Sequence, residues 1–301
     1  MTRTTYSRRE FCAAAGAVAL AGRRALAEAG RDRDDPFALR YILGSSMYGN
    51  LKLEAIVPEV RKTEAEHIDI WPKKHGTQRE QMEAMGHEAF AALLARHKVT
   101  LGILTHYDLG PFRLQKEMRV AAKLGARLLI CAGMPKNKAA ARTFFEKITP
   151  HVAAAEQAGV VIGIENHGES YDAIRRFADS ARSKHLGVAL APYHLKPDDP
   201  PRIAKLIADL GEKLVHFYAW QHGAGCMKKL PKARELLQMP GRGQLDFVPI
   251  LAALKRIRYA GWTEIFMHPV PRGIPILPTA AEVTAEINRA RQYLTACLAT
   301  L

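Results

Sequence analysis

The sequence predicts a single (β/α)8 barrel, and three observations carry that prediction. Eight short apolar runs rich in β-branched residues recur from residue 37 onward, and stretches with helical spacing separate them. Strict alternation of this kind calls for a parallel sheet with helical crossovers. The length left for it suits the roughly 250 residues of eight such units. An open doubly wound sheet is the alternative, but it would want a glycine-rich turn after the first strand, where Gly44-Ser45-Ser46 is a poor match.

Residues 1–30 read as an address. Ser7-Arg8-Arg9-Glu10-Phe11 precedes a small-residue run at 12–22, and Ala25-Leu26-Ala27 supplies a cleavage pattern. The paired arginines before Phe11 resemble the bacterial twin-arginine signal, which implies a periplasmic or otherwise exported protein. A basic N-terminal helix is the other reading. Residues 31–36 form a polar linker, and 37–301 form the barrel domain.

The candidate strands are 39–43, 67–71, 99–104, 128–132, 160–164, 186–191, 214–218 and 262–267. Ile203, Leu206, Ile207 and Leu210 give one helical face between Pro200-Pro201 and the stop at Gly211. Phe247, Ile250, Leu251 and Leu254 give another after Asp246, a plausible N-cap. Thr279 and Glu282 have capping-box spacing ahead of Val283 and Ile287.

Composition narrows the partners. The net charge of +14 comes from 44 Lys and Arg against 30 Asp and Glu. These charges are scattered rather than striped, so a solvated basic surface is expected and a nucleic-acid partner is not. No apolar run approaches the roughly 18 residues of a membrane span, so none is expected in the mature protein. Of the 4 cysteines, Cys12 falls in the signal, and Cys131, Cys226 and Cys297 show no C-x-x-C spacing, which argues against a zinc ribbon or disulfide framework.

Chemistry in such barrels sits at the C-terminal strand ends. Asp69, Trp71, His106, Glu165, His167, His194, His268 and nearby aromatic residues all fall there, and eight converging strands would bring them around one cavity. Flat aromatic faces beside polar groups suit a small carbohydrate. Period-two alternation puts His216, Tyr218 and Trp220 on one face of the seventh strand and Glu264, Phe266 and His268 on one face of the eighth. His216 and Glu264 are expected to satisfy each other as a buried pair, and Gly241-Arg242-Gly243 to form a turn rather than an anion cradle.

Four stretches resemble the sugar phosphate isomerase/epimerase family of xylose-isomerase-like barrels: Gly163-Ile164-Glu165-Asn166-His167, Gly187-Val188-Ala189-Leu190-Ala191-Pro192-Tyr193-His194, Leu214-Val215-His216-Phe217-Tyr218, and Gly241 to Phe247 leading to Gly261-Trp262. The resemblance implies one divalent metal held by a Glu, an Asp, a His and a second Glu, with the two Glu residues moving a proton beside a carbonyl. Glu165 matches the first Glu, and His194 matches a substrate-binding His. Ala191, Tyr218 and Phe266 stand where the Asp, the His and the second Glu are expected, so the usual metal set is broken.

A displaced site is therefore expected. Glu165 and His194 are the catalytic pair, with Asp69, Trp71, His106, Tyr193, Trp220 and Arg272 lining the substrate. Glu165, His167, His194 and His268 could hold one divalent ion, zinc or manganese by their chemistry, or the same groups could move protons without metal. The expected activity is that of a sugar isomerase, epimerase or lyase. A non-catalytic exported carbohydrate-binding barrel is the alternative, and a phosphodiesterase resembling the apurinic-site endonucleases is a third reading that the lost donors disfavour.

Overall fold

The computed structural model describes residues 36–195, 199–221 and 228–301. The expected signal at 1–30, most of the expected linker at 31–36, His222 and Cys226 lie outside the described residues. Eight strands pair in chain order and all in parallel: β1 (Arg40–Gly44), β2 (His67–Ile70), β3 (Thr100–Thr105), β4 (Leu128–Cys131), β5 (Val161–Glu165), β6 (Leu186–Leu190), β7 (Leu214–Ala219) and β8 (Trp262–Ile265). Arg40, Tyr41 and Ile42 of β1 pair with Trp262, Thr263 and Glu264 of β8, which closes the ring. The predicted (β/α)8 barrel is the fold observed.

The helices form where capping and periodicity place them. Over Pro200–Leu210, Asp199 accepts a hydrogen bond from Arg202 N at the start, and Gly211 turns out of the helix with φ 50°. Its face of Ile203, Leu206, Ile207 and Leu210 is buried, each such side chain contributing about 1.5–3 kcal/mol. Ala280–Ala299 opens with the full capping box of Thr279 and Glu282. Asp246 Oδ1 accepts from Val248 N at 2.9 Å, but Phe247 takes the N-cap position of the helix Val248–Arg256, so the expected cap residue lies one position too early. No described helix is long and apolar enough to cross a membrane.

Strands β2 and β8 stop short of their apolar runs. Trp71 leaves the ladder and gives its N–H to Ser45 Oγ at 3.0 Å, so its ring follows the chain over the mouth. The barrel interior is also more polar than the branched aliphatic filling usual for this fold. Asp69, Thr105, His216 and Glu264 are all buried there, and this polar layer underlies the site.

Candidate functional site

Glu165 ends β5 with a carboxylate that is 1 % exposed, close to two imidazoles. Its Oε1 lies 3.5 Å from His194 Nε2 and 3.7 Å from His167 Nε2. Tyr107 donates its phenolic hydrogen to Oε2. Burial pushes the Glu165 carboxyl upward, but His167, His194 and Tyr107 together outweigh it and hold the group below the usual carboxylate range. Glu165 is thus an anion at neutral pH despite its burial.

Local backbone bonds fix the three donors. Asn166 clamps β5 to the end of β6, donating to Ala191 O at 3.1 Å and accepting from Ala191 N at 2.8 Å. The short turn Pro192–His194 follows, and it places His194 with its ring centroid 4.6 Å from that of His167. His167 N donates to Glu169 Oε2 at 2.5 Å, which pins the loop beyond β5.

The usual family metal positions do not fit a cation here. Ala191 and Phe266 offer no side-chain donor, and Phe266 stacks on Trp71 with centroids 5.1 Å apart. The displaced set does fit: Glu165, His167 and His194 present ligand atoms all within 4.8 Å of one another. Glu165 Oε1 and His194 Nε2 are buried without a hydrogen-bond partner among the described residues, as atoms awaiting a shared ligand would be. One carboxylate and two imidazoles suit a borderline divalent ion.

His268, expected as a fourth ligand, lies outside that set of three. Its ring stacks on His75 at 4.6 Å and sits edge-on to Phe266 and Trp220 at 4.6 and 5.2 Å. Burial and Arg272 depress its basicity well below the ordinary histidine range. Gln238 holds its backbone, accepting from His268 N at 3.2 Å and donating to His268 O at 2.9 Å. The same Gln238 accepts from Trp220 Nε1 at 3.0 Å. Trp220 in turn stacks almost flat on Tyr193, at 3.9 Å and 8°, so an aromatic wall faces the imidazoles.

Two other expected substrate contacts sit elsewhere. Thr105 points inward and donates to Asp69 Oδ2 at 2.6 Å, so alternation turns His106 outward and Tyr107 inward. His106 instead lies in the field of the Glu117–Arg79 pair, and burial lowers its basicity. Asp69 is fully buried within the barrel, against Thr105 and Glu264, rather than at the mouth. Arg272 Nη1 donates to Pro269 O at 3.0 Å and its charge reaches His75 and His268.

Sequence reasoning places Tyr107 only among the aromatic residues at the mouth, without its bond to Glu165, and misses His75 and Gln238 as site residues. Parity with Thr105 could have identified Tyr107. His75 lies in the loop after β2, where alternation gives no guidance. Its imidazole is lowered to about 4 by burial and Arg272. Arg242 pairs with both oxygens of Glu286 at 2.7 and 2.6 Å, as suits a structural turn.

His216 and Glu264 approach to 3.3 Å, but neither His216 nitrogen nor either Glu264 carboxyl oxygen has an aligned hydrogen-bond partner among the described residues. Burial holds His216 neutral, lowered to about 3. The expected pair is therefore in contact without satisfying itself.

The fold resembles a xylose isomerase domain protein from Alicyclobacillus acidocaldarius subsp. acidocaldarius, with TM-score 0.62 and 17% identity over 87% of this chain and 99% of that one. It resembles a D-allulose 3-epimerase from Methylomonas sp., with TM-score 0.62 and 15% identity over 87% and 99%. A xylose isomerase-like barrel from Mycobacterium smegmatis in complex with magnesium aligns with TM-score 0.61 and 12% identity over 87% and 98%. A chloroplastic/amyloplastic 4-alpha-glucanotransferase of Oryza sativa subsp. japonica is 34% identical over 123 residues, which is 38% of this chain and only 20% of that protein. The family described as xylose isomerase-like TIM barrel matches residues 57–293, and the chain belongs to that family.

Proposed function

We propose that the protein is a sugar isomerase/epimerase-like enzyme that moves a proton on the carbon beside a carbonyl of a keto-sugar or related polyol. The observation that carries this reading is the buried Glu165 carboxylate, ionised and 3.5 Å from His194. Glu165 takes the proton as the C–H bond breaks, and the electron pair moves into the carbonyl to give an enediolate. His194, and the Tyr107 phenol behind Glu165, are placed to orient the carboxylate and return a proton. Tyr193 and Trp220 offer a flat face to the C–H side of a sugar ring.

A carboxylate held below its usual range is a weak base, so the substrate proton must be made more acidic. A divalent ion on Glu165, His167 and His194 would supply that acidity by polarising the carbonyl. The D-allulose 3-epimerase likeness and the magnesium-bound relative support this class of chemistry for the fold. The pattern of Arg8-Arg9 and Ala25-Leu26-Ala27 supports action after export through a twin-arginine-type route.

The test is deuterium incorporation from heavy water into a panel of ketoses and 3-keto-glycosides, followed by NMR with purified protein and its Glu165→Gln variant. Exchange by the native protein that falls at least a hundredfold in the variant supports the reading. The loss of donors at Ala191 and Phe266 favours a second reading, a sugar-binding barrel without turnover. Equal binding by both forms with no exchange in either would establish that one instead.

A further inference from the structure

Two imidazoles meet at the mouth without belonging to the Glu165 centre. His75 comes from the loop after β2 and His268 from the loop after β8, and their rings stack with centroids 4.6 Å apart and planes 28° from parallel. Local bonds fix both. His75 N and Gly76 N each donate to Pro72 O at 3.2 Å, which curls the chain just past Trp71. Gln78, the first residue of the next helix, donates to Gly49 O and Leu51 O at 2.7 and 2.8 Å and so ties that loop to the one after β1. The β1 loop in turn reaches the β8 loop. Asn50 N donates to Gly273 O at 2.8 Å, and a Cβ on Gly49, at φ 55°, would lie 2.2 Å from Ile274 C. Three loops therefore hold the two rings in one place.

The ring nitrogens are what this frame presents. None of the four makes a hydrogen bond or ion pair among the described residues, and none is sealed from solvent. His216 is the contrast, because both its nitrogens are shut inside the barrel. Two imidazolium cations would repel at the spacing of the stack, and Trp71 meets both rings edge-on, so the packing suits neutral imidazoles. Burial and the field of Arg272 agree, lowering His75 to about 4 and His268 well below the ordinary histidine range. A neutral imidazole offers one N–H and one acceptor nitrogen, the complement of an alcohol, whereas a phosphate or carboxylate is matched by a cation. Arg272 gives its Nη1 to Pro269 O at 3.0 Å.

Tyr107 joins the stack to the base. Its ring meets that of His75 at 5.5 Å and that of His167 at 5.1 Å, both edge-on, while its hydroxyl bonds Glu165. One aromatic ring thus separates the imidazole pair from the Glu165 centre, a width that a hexose chain spans. We propose that His75 and His268 form a second recognition site, which binds hydroxyl groups of an uncharged ketose on carbons away from its carbonyl and so selects the carbon that faces Glu165. This role rests on the sugar reading of the Glu165 centre, and it gives the pair no part in proton transfer or metal binding.

Exchange kinetics and histidine NMR on the full-length protein test it, with D-fructose, D-tagatose and their 6-phosphates as probes. His75→Phe keeps a flat ring and removes both nitrogens, so it should raise KM for the uncharged ketoses about tenfold and leave kcat within about threefold. His75→Asn restores a donor and an acceptor and should recover most of that KM. In protein carrying 15N-histidine, the His75 and His268 ring signals are assigned by their through-space contacts to Trp71, which both rings meet. They should move on adding either ketose while the sealed His216 stays still. An unchanged KM in His75→Phe, a loss confined to kcat, or ring signals that neither ketose moves overturns the site. Phosphates bound about tenfold more tightly, with the gain lost in Arg272→Gln, overturn the uncharged class. Movement of both signals without deuterium exchange sinks the enzyme reading alone and leaves the recognition site standing, whereas exchange with still signals does the reverse. The shifts are read on the native protein, so they decide the matter even if a variant fails to fold.

Discussion

Gly44 and Glu264 share a space that only one side chain can fill. A Cβ on Gly44 would lie 2.1 Å from Glu264 Oε1 and 2.9 Å from its Cδ, and both residues sit inside the closed ring. Gly44→Ala must therefore displace a fully buried carboxyl. The expected loss is about 1–3 kcal/mol, read as a lower urea midpoint with unchanged slope. An unchanged midpoint would show that Glu264 has room to move.

Opposite pH slopes should be separable by mutation. Asp69 has its carboxyl raised from 3.8 to about 7 in the folded protein, so the native state binds more protons between those limits. Its contribution to stability is complete below about pH 4 and is lost as pH rises to 7. His216 is lowered from 6.5 to about 3, so its contribution is complete above pH 6.5 and is lost as pH falls toward 3. Asp69→Asn should consequently make stability rise more steeply from pH 4 to 7, measured by urea unfolding at intervals across that range.

Zinc or manganese titration distinguishes the three-donor set from the four-residue one. Glu165→Gln and His194→Ala should each weaken calorimetric binding about tenfold or more. His268→Ala should leave it unchanged, since His268 packs on His75 outside the set. A weakening by His268→Ala equal to that of His194→Ala would return His268 to the ligand sphere.

The Arg79–Glu117 pair behind β3 gives a stability test away from the mouth. Arg79 Nε and Nη2 donate to the two Glu117 oxygens at 2.8 and 3.1 Å, and both side chains are nearly buried. Arg79→Met leaves a buried carboxylate unpaired, at a cost of about 3–5 kcal/mol. Adding Glu117→Leu should recover most of that in chemical denaturation, whereas an additive double variant would contradict the pairing.

The barrel was legible because its signals are local. Strand runs, the face of Ile203, Leu206, Ile207 and Leu210, and the Thr279–Glu282 box each depend on neighbours a few residues away. Part of the site was legible for the same reason: Glu165 ends β5 with His167 two residues beyond it, and His194 closes a short Pro-led turn. His106 drew attention by residue type, although parity with Thr105 favours Tyr107. His75 and Gln238 come from connections whose path is set by long-range packing, and no period marks them. The approach of Glu264 to Gly44 depended on β8 closing beside β1, a property of the ring rather than of either segment.

Gln238 has a consequence for redesign. Its one amide binds the indole of Trp220 beyond β7 and both backbone groups of His268 beyond β8. The two loops therefore form a single module, and transplanting either one from another barrel would strand the amide between unmatched neighbours. Specificity grafts should move the stretch carrying Trp220 and Gln238 together with the one carrying His268.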